Sequence, residues 1–127
     1  LIWLIFFFIS SSCSDNREIV LTAVKQNGNA LKYADKKLRG DRDVVLASVK
    51  SDGFSLLNAD DQFNYDREIV LEAVKSCGYV FQYASETLRA DREVVLTAVK
   101  SNGQMLTSAE KSLQTDREIV LEAVEAN

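Results

Sequence analysis

Apolar positions in this chain fall into blocks of a single design, and the blocks recur every 25 residues. Five segments align without gaps: NREIVLTAVK from Asn16, DRDVVLASVK from Asp41, DREIVLEAVK from Asp66, DREVVLTAVK from Asp91 and DREIVLEAVE from Asp116. The stretches between the blocks align as well. Gly28, Gly53, Gly78 and Gly103 share one position, and Ala34, Ala59, Ala84 and Ala109 share a second. Leu38, Phe63, Leu88 and Leu113 share a third. A fixed period of this kind marks a repeat array, in which each unit covers the apolar face of the next.

Every unit is predicted to be helix, tight turn, helix. In the third, Asp66 is placed to cap the first helix, because its carboxylate can accept from free backbone N–H groups. Glu68 in the first turn and Lys75 in the last complement the helix dipole. Ile69, Val70, Leu71, Ala73 and Val74 then cover an apolar arc of roughly 200°. An arc that wide has to be covered from two sides, which makes this helix the inner layer. Gly78 is expected to end it in the left-handed conformation. Phe81, Ala84 and Leu88, three and four apart, give the second helix a narrower stripe, with alanine permitting close approach.

Asn27-Gly28 and Asn102-Gly103 are also hairpin signals, and the valine-rich runs before them could be strands. Leu31, Ala34 and Leu38, however, come after the turn at helical spacing rather than in alternation, which favours helix. A lone unit has too few apolar side chains to offset the ordering of its backbone, and stacking has to supply the rest. The expected fold is all-α: a short α-solenoid of stacked 25-residue helix-turn-helix repeats. Four full units span 16–40, 41–65, 66–90 and 91–115, and a truncated fifth spans 116–127. Residues 1–15 stand apart as an apolar and serine-rich flank. Both ends read as cut from a longer array.

Within that flank, Leu1 to Ile9 is unbroken apolar sequence, succeeded by Ser10, Ser11, Ser12 and Cys13. The run is too short to span a bilayer, which needs about 20 residues. It matches the core of a truncated secretion signal, although no basic segment precedes it. Ser10 stands where a lipid-attachment box at Cys13 would want an aliphatic residue. An unrelated flank is the competing reading. Secretion or membrane contact is expected only if the run is a real signal or anchor.

Composition narrows the chemistry. With 46% apolar residues the chain can build a core, so general disorder is excluded. A net charge of −4 speaks against a broad nucleic-acid footprint, which needs clustered Lys and Arg. There is no His, so the usual general base and the commonest zinc ligand are both missing. Cys13 and Cys77 are distant and stand in unrelated contexts, which argues against a disulfide framework or a metal site.

The consensus D-R-E-[IV]-V-L-x-A-V-K-x-N-G-x-x-L-x-x-A resembles a repeat family known as domain of unknown function 4116, over Asn16 to Asn127. The resemblance implies long tandem arrays of short helices and brings no activity, ligand or catalytic residue. Departures are small. Asn16 replaces the capping Asp, Asp52 and Cys77 replace the turn Asn, and Glu125 replaces the helix-ending Lys.

Candidate sites lie among both the recurring and the varying positions. The Asp-Arg-Glu triplets could form a ladder of acids and bases, but they recur where helices need caps. Asp as cap, Glu as dipole partner and Arg paired with an acid or carbonyl of the next unit is the preferred reading. The Asn-Gly turns end helices with a single Gly, unlike phosphate loops, which open them. Cys77 is read as a tolerated substitution, with no His present to activate it. Lys32, Lys36, Lys37 and Arg39 cluster in the first unit, whose charge balance is +4 against −3 in the second. A solvated face is the preferred reading, and an acidic partner the alternative.

The variable positions carry more information. Directly after the turn Gly stand Asn29, Phe54, Tyr79 and Gln104, and four residues on stand Tyr33, Asn58, Tyr83 and Ser108. On an α-helix these two sets share a face. Constant framework with changing, partly aromatic decoration is how repeat proteins build binding strips. The alternative is that the aromatics only fill the groove between units. A non-enzymatic module that binds a protein or peptide, or acts as a scaffold, is therefore expected, with no cofactor, no metal and no nucleic acid. The rival readings are a nucleic-acid-binding helical repeat, or an accessory repeat region of a larger enzyme or effector.

Overall fold

In the computed structural model, residues 14–127 are described. Five long helices start 25 residues apart: α1 (Arg17–Gln26), α3 (Arg42–Ser51), α4 (Arg67–Ser76), α6 (Arg92–Ser101) and α7 (Arg117–Glu125). Two single-turn helices, α2 (Lys36–Arg39) and α5 (Glu86–Arg89), close the first and third units. Each long helix packs on the next, α1 on α3, α3 on α4, α4 on α6 and α6 on α7. No strand occurs among the described residues. This is a short all-α solenoid.

Caps fall where the triplets put them. Asn16, Asp41, Asp66, Asp91 and Asp116 are all N-caps whose side chains accept from backbone N–H groups in the first turn. In α4 the wide apolar arc is covered along its whole width, with Ile69, Val70, Leu71, Ala73 and Val74 all buried, whereas Leu21, Leu46 and Leu96, at the position of Leu71, are half-buried. Burial depends on the neighbour. Val24, Val49, Val74 and Val99 are fully buried, whereas Val124, at the same position on α7, is 66% exposed.

The second half of each unit departs from expectation in two ways. It is not one α-helix. A 3₁₀ segment succeeds each of the first four long helices, at Gly28–Tyr33, Gly53–Asn58, Gly78–Tyr83 and Gly103–Ser108. Gly78 and Phe81, with Ala84 just beyond the segment, fall three apart, which suits three residues per turn, and Val80 is buried beside them. The backbone then extends at Ala34, Ala59, Ala84 and Ala109. Asp35 and Ser85 cap the new turns, α2 and α5, by accepting from Lys37 N and Leu88 N. A polar residue that caps a fresh turn competes with continuation of the old helix. In the second and fourth units the closing turn is 3₁₀, at Asp61–Tyr65 and Leu113–Thr115, so the closing geometry alternates.

Nor does the turn glycine adopt a left-handed conformation, since no described residue has positive φ. The first four long helices end on extended residues instead, Asn27 at φ −149° and ψ 106° among them. Close approach is what requires the glycine. A Cβ on Gly28 would stand 2.4 Å from the Ser48 carbonyl oxygen, and one on Gly103 2.0 Å from that of Ala123. Both carbonyls belong to the next unit's helix. Serines secure the junction: Gly28, Gly53 and Gly78 each donate their N–H to Oγ of Ser51, Ser76 and Ser101, at 3.1, 2.9 and 3.1 Å.

A second inter-unit bond recurs further along. Asp60, Ser85 and Glu110 donate N–H to the carbonyls of Arg39, Asn64 and Arg89, and Asp35 donates likewise to Ser14 at 2.7 Å. Ser14 therefore holds the register position of a unit's penultimate residue. Leu1 to Ile9 and Cys13, with the readings placed on them, lie outside the described residues. Among the described residues no helix is long and apolar enough to cross a membrane.

Candidate interaction surface

Two edges of the stack carry polar groups in register. Along the first, the triplets form a ladder. Arg17 donates from Nε to Asp41 at 2.7 Å and from Nη2 to Asp43 at 3.1 Å. Arg42 pairs with Asp66 and Glu68 at 2.8 and 2.6 Å, and Arg67 with Asp91 and Glu93 at 2.7 and 2.5 Å. Arg92 pairs with Asp116 at 3.5 Å and with Glu118. Each arginine thus grips the N-cap and first-turn acid of the next helix, the arrangement expected of a structural role. Each cap carboxylate works twice, and Asp41 Oδ1 also accepts from the amides of Asp43 and Val44.

Electrostatics reflect this geometry. The bond from Arg17 holds the Asp41 carboxyl below its ordinary range, as Arg42 does for Asp66 and Arg67 for Asp91. For Asp116 the Ile119 amide is the main cause of the same shift. The arginines move upward, Arg17, Arg42 and Arg67 chiefly through the bonded Asp and Arg92 through Glu118. The charges here are tied to one another.

The variable positions all lie in the 3₁₀ layer. Asn29, Tyr33, Phe54, Tyr79, Tyr83 and Gln104 are exposed, while Asn58 and Ser108 are half-buried. Phe54, Tyr79 and Tyr83 keep 46%, 49% and 46% of their surface, which is high for aromatic side chains in a packed array. They do not make one strip. At three residues per turn, positions four apart diverge by about 120° instead of sharing a face, so Tyr79 and Tyr83 form separate rows. Lys32 sits over the Tyr33 ring at 4.9 Å, and Lys36 and Lys37 are exposed.

Tyr83 instead faces the junction between the second and third units, in a groove of about 610 Å³ walled by Tyr65, Asp61, Glu86 and Arg89. The same groove one unit on, about 320 Å³, has Ser108 in place of Tyr83, beside Glu110 and Lys111. Tyr65, 73% exposed, is a residue that sequence reasoning missed, as is Leu57, 47% exposed in the 3₁₀ layer. Tyr65 occupies the last position of its unit, where Gly40, Ala90 and Thr115 stand in the others. Comparing every variable position, rather than those after the glycine alone, would have found it.

Cys77 is a half-buried free thiol at the turn position. Its counterparts Asn27, Asp52 and Asn102 accept from the amide two residues on at 3.0 Å each, whereas Cys77 makes no such cap. Among the described residues no group of three His, Cys, Asp or Glu side chains is placed to hold a metal ion.

Stacked units, an internal ion-pair ladder and a variable outer layer define a tandem helical-repeat protein. The chain belongs to the family described as domain of unknown function (DUF4116), which matches residues 3–39, 16–64, 41–89, 66–114 and 91–127. From Asn16 the matches step by one unit and each interior match spans two. The first reaches back to residue 3, within the apolar flank. No curated protein and no solved structure matches the chain.

Proposed function

We propose that this chain is a non-enzymatic scaffold whose 3₁₀ layer binds a protein or peptide. One observation carries the reading. Framework positions are near-identical from unit to unit, while Asn29, Phe54, Tyr79 and Gln104, equivalent and all exposed, differ in every unit. Exposed aromatics supply the contact area that interface hot spots use. Tyr33 and Tyr83 extend the layer in a second row, with Asn58 and Ser108 as its recessed members. The ladder edge offers little to a partner, because its acids and arginines already satisfy each other.

The test compares two variants of the full chain as baits in cell extract. One replaces Phe54, Tyr79 and Tyr83 by Ala; the other replaces exposed Lys25, Lys50 and Lys100 of the helical layer by Ala. Circular dichroism has to show both folded. Proteins retained by the parent and the lysine variant, and lost from the aromatic variant, are the expected result. Undiminished retention by the aromatic variant rejects the proposed surface.

A further inference from the structure

Two Asn-Gly pairs offer a matched comparison. Asn27 and Asn102 both lie in extended backbone, at φ −149° and ψ 106° and at φ −156° and ψ 108°. Each side-chain oxygen accepts from the amide two residues on at 3.0 Å. The glycine after each is buried against the next unit. The glycine anchors differ. Gly28 is held from both sides: its N–H donates to Ser51 Oγ at 3.1 Å, and its carbonyl accepts from Ser48 Oγ at 2.8 Å. At the Gly103 junction Ala126 and Ala123 occupy those two positions and have no hydroxyl to offer.

We propose that Asn102-Gly103 is a site of spontaneous deamidation, and that the serine clamp suppresses the same reaction at Asn27-Gly28. The Gly103 amide nitrogen, having lost its proton to hydroxide, attacks Cγ of Asn102. A new C–N bond closes the succinimide ring, and the side-chain nitrogen takes a proton from water and leaves as ammonia, which regenerates hydroxide. Water then opens the ring at one carbonyl or the other, leaving aspartate or isoaspartate at position 102. Glycine permits the attack because it has no side chain to block it. In the folded array the reaction requires the junction to open, since Gly103 is buried against the next unit and the Asn102 side chain is tied down by the Gln104 amide. Each hydrogen bond missing from a junction makes opening easier by a factor on the order of five.

The two products have different consequences. Aspartate is already accommodated, because Asp52 precedes Gly53 and caps Phe54 N at 3.0 Å. Isoaspartate adds a methylene to the main chain and displaces Gly103 from the Ala123 carbonyl, where not even a Cβ fits. The reaction therefore divides the population into arrays with an added charge and arrays with the Gly103 junction broken.

The full chain is incubated at mildly alkaline pH, and amide loss is tracked by mass spectrometry in tryptic peptides 26–32 and 101–111. Fragment ions separate Asn27 from Asn29. The expected result is deamidation more than about tenfold faster at Asn102 than at Asn27, since two bonds are missing. Ala126→Ser should slow the Asn102 reaction, and Ser51→Ala should speed that of Asn27, each with the other site as internal control. Ala126→Ser only adds a group, so it keeps the comparison open if Ser51→Ala loosens the fold. Equal rates, a faster Asn27, or an Asn102 rate indifferent to Ala126→Ser overturns the proposal.

Discussion

Gly53 lies against the backbone of Ala73, so close that a Cβ built on the glycine would stand 2.2 Å from the alanine carbonyl oxygen. The two residues belong to successive units, and the contact recurs at Gly28 on Ser48 and Gly103 on Ala123. The obstacle is main chain in a packed helix, which cannot rotate away. Gly53→Ala should therefore force the second and third units apart and lower stability by about 2–3 kcal/mol, the upper range for overpacking. Gly40→Ala is the control. The nearest atom there is the Asp60 carboxylate at 2.7 Å, which can swing clear, and Ala90 already stands at that position in the third unit. Its effect should stay within about 0.5 kcal/mol. Urea unfolding of both variants checks the contrast; equal losses would mean that the junction is not what the glycine serves.

The reason for that glycine could not be read from one unit, because the atom that excludes a side chain lies 20 residues further on. Local and periodic features were legible: the caps at Asp66 and its counterparts, the inner arc from Ile69 to Val74, and the stacking order. The arginine partners were legible too, since a triplet recurring at each helix start puts opposite charges of adjacent units side by side. The second half of the unit differs from its expected form for a definite reason. Phe81, Ala84 and Leu88 fit an α-helical stripe by spacing alone, but Gly78, Phe81 and Ala84 fit a 3₁₀ turn as well. Ser85, as a cap, decides between them. Taking the segment as one α-helix is what merges Tyr79 and Tyr83 into a single strip.

Cap and ion pair can be separated at Asp91, which accepts from the amides of Glu93 and Val94 while pairing with Arg67. Asp91→Asn keeps the acceptor and removes the charge, as Asn16 does naturally when it caps Glu18 N and Ile19 N at 3.1 and 3.2 Å. Its cost should be under about 1 kcal/mol, as for an exposed pair. Asp91→Ala should cost about 1 kcal/mol more through loss of the cap. High salt should shrink the first loss and leave the difference between the two variants unchanged. If salt leaves the first loss untouched, or changes the difference between the two variants, the division of roles at Asp91 is wrong.

Acid should unfold the array through the same carboxylates. Asp41, Asp66 and Asp91 are held below the ordinary range in the folded state by Arg17, Arg42 and Arg67. Where the folded value lies below the unfolded one, the unfolded chain binds protons first. The stabilisation is then complete at neutral pH and disappears as pH falls below about 4 and through the depressed folded values. Melting temperature measured downward from neutral pH should hold level and then drop, with a shallower drop for Asp91→Asn. A fall that begins near neutrality would point to other groups.

Cys77 leaves one cap unmade, and the backbone is already shaped to receive it. Its φ of −149° and ψ of 105° match those of Asn27, whose Oδ1 accepts from Asn29 N at 3.0 Å. An asparagine side chain there would find the Tyr79 amide in the same relation, with no rearrangement of the main chain. Cys77→Asn should raise stability by about 0.5–1 kcal/mol, the usual worth of such a cap. For a domain of this size that is a rise of roughly 2–6 °C in melting temperature. Cys77→Ala supplies no acceptor and serves as the reference for losing the thiol. The gain of the asparagine variant over the alanine variant measures the cap alone. No gain, in calorimetry of both proteins under reducing conditions, would show that the amide of Tyr79 is served equally well by water.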